Sequence, residues 1–156
     1  LSVRDVKERA YVVYRAGDLS AAIASGSFAI DAMVVVPCSM KTLAGIRAGY
    51  ADTLIQRAAD VTLKEGRPLV LVPREMPLSQ VHLENMLALA RMGVRIVPPM
   101  PAFYTRPQTI DDVVTHIAMR VLDQLGLGGG VSSPRWDGGL RSPVATDAHA
   151  LDEVEE

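Results

Sequence analysis

The chain has 156 residues, 49% of them hydrophobic, with a net charge of −2 and one cysteine. That length and apolar content suit one globular domain with a sizeable core, and no apolar run approaches the roughly 20 residues of a membrane span. The charge is uneven: two arginines face six carboxylates after residue 127, while fourteen basic side chains face twelve acidic ones before it. No basic stripe results, which argues against a nucleic-acid partner. The opening LSVRDVKERA is charged and lacks the apolar centre of a signal peptide. A lone cysteine excludes an internal disulfide framework and fits a reducing, cytoplasmic setting. Three scattered histidines and that cysteine give no metal-ligand spacing, so no metal is expected.

In chain order, the residues before Met33 hold a helix over Leu19–Ala24 and a short strand near Tyr11–Tyr14. Met33–Val36 is a β-branched run that stops at Pro37, the pattern of a buried parallel strand. Ser39 then stands as N-cap of a helix that Gly45 and Gly49 weaken. Asp52 caps a second piece running to about Glu65, with Leu54, Ile55, Ala58 and Val61 as its apolar side. Pro68–Val72 is the second strand. The helix after it, Ser79–Met92, carries Leu83, Met86, Leu87 and Ala90 at i, i+3, i+4 and i+7, one face of a helix, and Gly93 suits its C-terminal cap. Val94–Val97 is the third strand. After the loop PPMPAFYTRPQ, a helix capped by Thr109 carries acids in its first turn. It turns Ile110, Val113, Val114, Ile117, Val121 and Leu125 inward and ends at Gly126.

Alternating strands and helices imply an α/β fold: a doubly wound parallel sheet in a flavodoxin- or Rossmann-like three-layer arrangement. Three strands are few for it, so the chain reads as the back of a larger domain. Residues 1–127 form the domain, and the Gly-, Ser-, Pro- and acid-rich stretch 128–156 reads as a largely disordered tail in which Arg135 and Trp136 could dock.

Each loop at a strand's carboxyl end carries polar residues that structure alone does not require: CSMKT, then Arg74 and Glu75, then PPMPAFY with Tyr104. Open α/β folds bind ligands at this edge, and a helix start attracts anions through free N–H groups. Ser39 and Thr42 also serve simply as helix caps. Cys38 suits a small packed residue better than a nucleophile. Arg57 and Lys64, two turns apart, suit a solvated face. Arg120 borders a buried stripe and needs an anionic partner or a path to solvent. Taken together, Arg57, Lys64, Arg74, Arg120 and Tyr104 supply enough donors for one phosphate, and charge-assisted bonds are the strong ones.

The strings SGSF at Ser25–Phe28, MVVVPCSMKTLAGI from Met33, RAADVTLKEGRPLVL from Arg57, PREMPL from Pro73, HLENM from His82 and PPMPAFYTRPQTIDD from Pro98 resemble the UbiX-type flavin prenyltransferases. The resemblance covers Ser25 to Leu127, with Arg135–Trp136 as a further echo. It implies an enzyme that joins a dimethylallyl group from dimethylallyl phosphate to reduced FMN, making the prenylated cofactor of UbiD-type decarboxylases. It implies that Ser39, Met40, Lys41, Thr42 and Arg74 contact FMN. Ser25, Arg57, Lys64, Arg74, Tyr104 and Arg120 would hold the substrate phosphate, with Glu75 as acid/base. It further implies a metal-independent homo-oligomer, as large as a dodecamer, with active sites at subunit contacts. The alternative is a non-catalytic FMN-binding accessory subunit of an aromatic-acid decarboxylase.

The family opens with a strand and a Gly–Ser loop that cradles the FMN phosphate, and this sequence has no such motif before Ser25. The expectation is therefore a domain lacking its first strand–loop–helix, active at full length, with these 156 residues alone binding FMN weakly. Gly66 stands where the family's LKERR string has arginine.

Overall fold

The computed structural model describes residues 2–128. Its elements are α1 (Val3–Glu8), a single 3-10 turn (Ala22–Ala24), β1 (Met33–Cys38), α2 (Met40–Ala48), α3 (Leu54–Lys64), β2 (Leu69–Pro73), α4 (Gln80–Arg91), β3 (Arg95–Ile96), a second 3-10 turn (Phe103–Thr105) and α5 (Ile110–Gln124). The three strands are parallel in the order β1-β2-β3. The expected parallel α/β sheet is therefore present. The tail expected for 128–156 lies, from residue 129 on, outside the described residues.

Alternation along β2 builds two cores. Leu69 and Leu71 enter one face of the sheet, where Val35, Leu43, Ile46, Ala59 and Leu89 meet them from β1, α2, α3 and α4. Val70 and Val72 enter the other, where Val121 of α5 meets them with Val34, Val97 and Leu125 around it. Successive side chains of a strand point to opposite faces, so a strand covered on both sides is apolar throughout, and all of β2 is buried.

The helix boundaries follow from capping chemistry. Ser39 Oγ accepts the Thr42 N–H at 3.2 Å and opens α2. Gly49 closes it at φ 67°, a left-handed conformation that glycine adopts without penalty. Gly45, inside α2, lets α3 approach: a Cβ there would stand 2.0 Å from Nε2 of the buried Gln56. Ser79 and Thr109 cap α4 and α5 with reciprocal side-chain bonds from His82 and Asp112.

Several expectations need correction. The Tyr11–Tyr14 stretch is not a strand, and Leu19–Ala24 narrows to one 3-10 turn. A short helix, α1, stands ahead of them with no buried residue. Thr53, not Asp52, caps α3, because its hydroxyl accepts the Gln56 N–H. β1 continues through Pro37 to Cys38, which pairs with Pro73. The apolar face chosen for α4 was rotated: Leu83 and Leu87 are exposed, and the helix enters the core through Leu89 and Met86. Ile55, Ile110 and Val114 are likewise exposed. The 3.6-residue period marks an apolar stripe, but only a neighbouring element decides which edge of it is covered.

Candidate functional site

The sheet's carboxyl edge follows from register. Cys38 and Pro73 are Cα partners, so Ser39 and Arg74 are the first residues past the ends of adjacent parallel strands. Val97 N–H donates to Leu71 O at 2.8 Å, which starts the Pro98–Thr109 loop from the same edge. At this edge Ser39 Oγ lies 3.1 Å from Thr42 Oγ1. The Met40 and Lys41 N–H groups in the first turn of α2 have no acceptor among the described residues. Arg74 and Glu75 are exposed, and Glu75 Oε1 accepts the Met76 N–H at 3.1 Å. The edge therefore offers free N–H donors, two hydroxyls and a guanidinium beside a carboxylate. Such a set receives an anionic or hydrogen-bonding ligand.

Cys38 belongs to the core rather than to this chemistry. It is 1% exposed, and burial pushes its thiol up to about 11. A thiol held that high is a poor nucleophile near neutral pH.

A second group lies along α3. Arg57 Nε donates to Ala24 O at 3.1 Å, and its Nη1 pairs with Asp60 at 2.9 Å. Ser25 Oγ is 2.9 Å from Ser27 Oγ. Lys64 pairs with Glu65 at 2.6 Å, holding that carboxyl below its ordinary range. A Cβ on Gly26 would come within 2.8 Å of Lys64 Nζ, so the ammonium sits over the Ser25–Ser27 loop. Ser25, Arg57 and Lys64 thus share one neighbourhood.

Tyr104 and Arg120 stand elsewhere. Tyr104 sets its ring edge-on to His116 of α5, with centroids 6.5 Å apart. Arg120 reaches Asp123 at 2.9 Å, toward the end of its helix. That end is tied to the opposite rim of the sheet, because Arg95 at the start of β3 donates to Gln124 O. Arg120 thus lies near the helix end tied to the start of β3, whereas Arg74 follows the end of β2.

Sequence reasoning missed Ser27, Asp60 and above all Arg67. Nη1 of Arg67 donates to Phe28 O at 2.9 Å and Nη2 to Gly26 O at 3.0 Å. Its partners are backbone carbonyls 39 and 41 residues away, which no local pattern marks.

The flavoprotein family profile matches residues 4–122. In Escherichia coli O157:H7, a protein named "Probable UbiX-like flavin prenyltransferase" is 68% identical over 126 residues, covering 81% of this chain and 64% of the relative. The solved structure of AnUbiX (PadA1) in complex with FMN and dimethylallyl pyrophosphate superposes at TM-score 0.85 with 48% identity, covering 88% of this chain and 73% of that one. The chain belongs to the flavoprotein family, among the UbiX-like flavin prenyltransferases. A dodecameric FMN-dependent UbiX-like decarboxylase from Escherichia coli O157:H7 matches at TM-score 0.82 and 64% identity, covering 88% of this chain and 73% of that one. The parallel sheet and its helices match the fold of these neighbours. The chain spans 64% of the length of the first relative.

Proposed function

We propose that the protein is a flavin prenyltransferase that joins a dimethylallyl group from dimethylallyl phosphate to reduced FMN. The observation that carries this reading is the register that sets Ser39–Thr42 beside Arg74 and Glu75 at one sheet edge. The residues fit the flavin: the unpaired Met40 and Lys41 N–H groups, the Ser39 and Thr42 hydroxyls and the Lys41 and Arg74 cations are the donors its polar rim requires. When bound, FMN supplies the nucleophilic nitrogen of its central ring. Ser25, Arg57, Lys64, Arg74, Tyr104 and Arg120 hold the phosphate of the second substrate. A C–N bond forms at the allylic carbon as its C–O bond breaks, and the electron pair leaves with the phosphate. Fixed cations stabilise charge where it develops, and Glu75 passes the nitrogen's proton toward the departing phosphate. Holding the two reactants together turns a bimolecular encounter into an intramolecular one.

We infer that subunit contacts of a homo-oligomer complete the site, since Arg120 stands near the helix end tied to the start of β3 while Arg74 follows the end of β2. The dodecameric neighbour and the exposed apolar side chains Met76, Leu83, Leu87 and Phe103 support that assembly. Residues 1–127 form the FMN-binding domain. A UbiD-type decarboxylase is the natural user of the product. The unpaired Cys38 suits a cytoplasmic setting, and no helix among the described residues is long and apolar enough to cross a membrane. A non-catalytic FMN-binding subunit would keep the Ser39–Thr42 edge but would have no use for Glu75.

The test is incubation of the protein, as its own cells make it, with reduced FMN and dimethylallyl phosphate, followed by mass spectrometry of the flavin. A flavin heavier by one prenyl group is expected. Glu75→Gln should slow its appearance by about 100-fold or more, the usual weight of a positioned acid/base group. Unchanged kinetics in that variant would remove Glu75 from the chemistry, and an unmodified flavin with the unaltered protein would remove the activity.

A further inference from the structure

We propose that Arg67 is a positioning residue for substrate phosphate, acting through the Ala24–Phe28 loop that it holds against α3. The inference rests on the reading above, in which Ser25 and Lys64 contact that phosphate. The loop has little to order it. Gly26 has no side chain, Ser25, Ser27 and Phe28 are exposed, and among these residues only Ala24 enters a buried cluster, with Ala21 and Leu54. Its shape is fixed instead by arginine. Arg57 Nε takes the Ala24 carbonyl, and the two arms of Arg67 take the carbonyls of Gly26 and Phe28.

Two consequences follow. With the Gly26 and Phe28 carbonyls turned toward the Arg67 guanidinium and the Ser25 carbonyl accepting the Phe28 N–H, the loop keeps several donors available: the Ser25 and Ser27 hydroxyls, 2.9 Å apart, and the N–H groups of Gly26 and Ser27, which have no acceptor among the described residues. And because Gly26 has no side chain, the Lys64–Glu65 pair packs onto it: a Cβ there would collide first with Glu65 Oε1 and then with Lys64 Nζ. The two arms of the Arg67 guanidinium are committed to loop carbonyls, so its effect on a ligand passes through the loop. Lysine would not replace it, since one point charge cannot span two carbonyls as the planar fork does.

The test compares Arg67→Met, Arg67→Lys, Ser25→Ala and the Ser25→Ala/Arg67→Met double variant in the whole protein. Arg67→Met should raise the KM for dimethylallyl phosphate about tenfold, the weight of one lost charge-assisted bond. FMN affinity should stay within about twofold, as expected for a site away from the flavin edge. The double variant should lose less than the sum of the two single losses, because part of what Arg67 does passes through the Ser25 contact. Arg67→Lys should recover only part of the loss, and it carries the comparison if Arg67→Met does not fold. A KM unchanged in Arg67→Met or fully restored in Arg67→Lys, or additive losses in the double variant, would overturn the proposal. A second readout does not need turnover: hydrogen–deuterium exchange of the peptide spanning residues 22–30, with and without inorganic phosphate. Protection by phosphate in the unaltered protein, lost in Arg67→Met and only partly regained in Arg67→Lys, is expected. Equal protection in all three, or none in the unaltered protein, overturns it. If no prenylated flavin forms but this protection pattern holds, the prenyltransferase reading fails while the arginine-held anion loop stands.

Discussion

The face of the sheet that Leu69 and Leu71 enter is closed by α2, α3 and α4, whereas the face that Val70 and Val72 enter is met, among the described residues, by α5 alone. On the first, Leu43, Leu71 and Leu89 are fully buried. On the second, the described residues leave a groove of about 500 Å³ between β1 and α5, lined by Val34, Val36, Val72, Ile117 and Val121, with Val36 60% exposed among them. Apolar residues supply both faces. The difference lies in how many helices press on them, so equal hydrophobicity gives unequal stability. Substitutions on the closed face should unfold the protein, and those on the open face should leave it folded.

The largest effect is expected at Leu71, wholly buried in the central strand. Leu71→Ala removes buried methyl groups and leaves a cavity that three helices cannot easily collapse, costing about 2–5 kcal/mol. Denaturant unfolding would measure it. A loss under about 0.5 kcal/mol, the range of ordinary surface changes, would mean that the closed face is looser than its burial indicates.

A smaller effect is expected where α5 begins, since among the described residues this helix alone covers the second face. Thr109 Oγ1 accepts the Asp112 N–H at 3.1 Å, and Asp112 Oδ2 accepts the Thr109 and Gln108 N–H groups, each at 2.9 Å. Thr109→Ala should cost about 1 kcal/mol. The backbone N–H bonds of Gln108 and Thr109, aided by the Thr109 hydroxyl, hold the Asp112 carboxyl below its ordinary range. A depressed carboxylate contributes stability that is present above its unfolded value, about 3.9, and is lost as pH falls through the lower folded value. Asp112→Asn should therefore melt earlier than the unaltered protein at neutral pH, and the gap should close in acid. A gap constant from pH 7 to 2 would break the assignment.

The same contrast explains what the residues disclosed. β2 was legible because a strand covered on both sides must be apolar at every position, and the caps at Ser39 and Thr109 were legible because they act within three residues. The burial of Leu83, Leu87, Ile110 and Val114 was misjudged, because a stripe can be covered by a neighbouring helix, by another subunit or by nothing. At the candidate site, Ser39, Arg74 and Glu75 follow from strand ends alone. Arg67 did not, since its bonds join residues some 40 positions apart and depend on how the Ala24–Phe28 loop lies on α3. The placement of Arg120 near the helix end tied to the start of β3 was hidden for a related reason: spacing along the chain does not report at which rim of a sheet a helix ends.

The smallest effect, and the one that sharpens the comparison most, belongs to Val36. It sits one residue from Val35, which is 7% exposed on the closed face, and points the other way. Val36→Ser deletes apolar surface that water already reaches, so the unfolding free energy should change by no more than about 0.5 kcal/mol. An open apolar groove is nevertheless a surface that other apolar surfaces seek. The variant should therefore self-associate less than the unaltered protein when light scattering is followed with concentration. A large stability loss instead would show that the groove is filled in solution, and the two faces would then differ in what covers them rather than in whether they are covered.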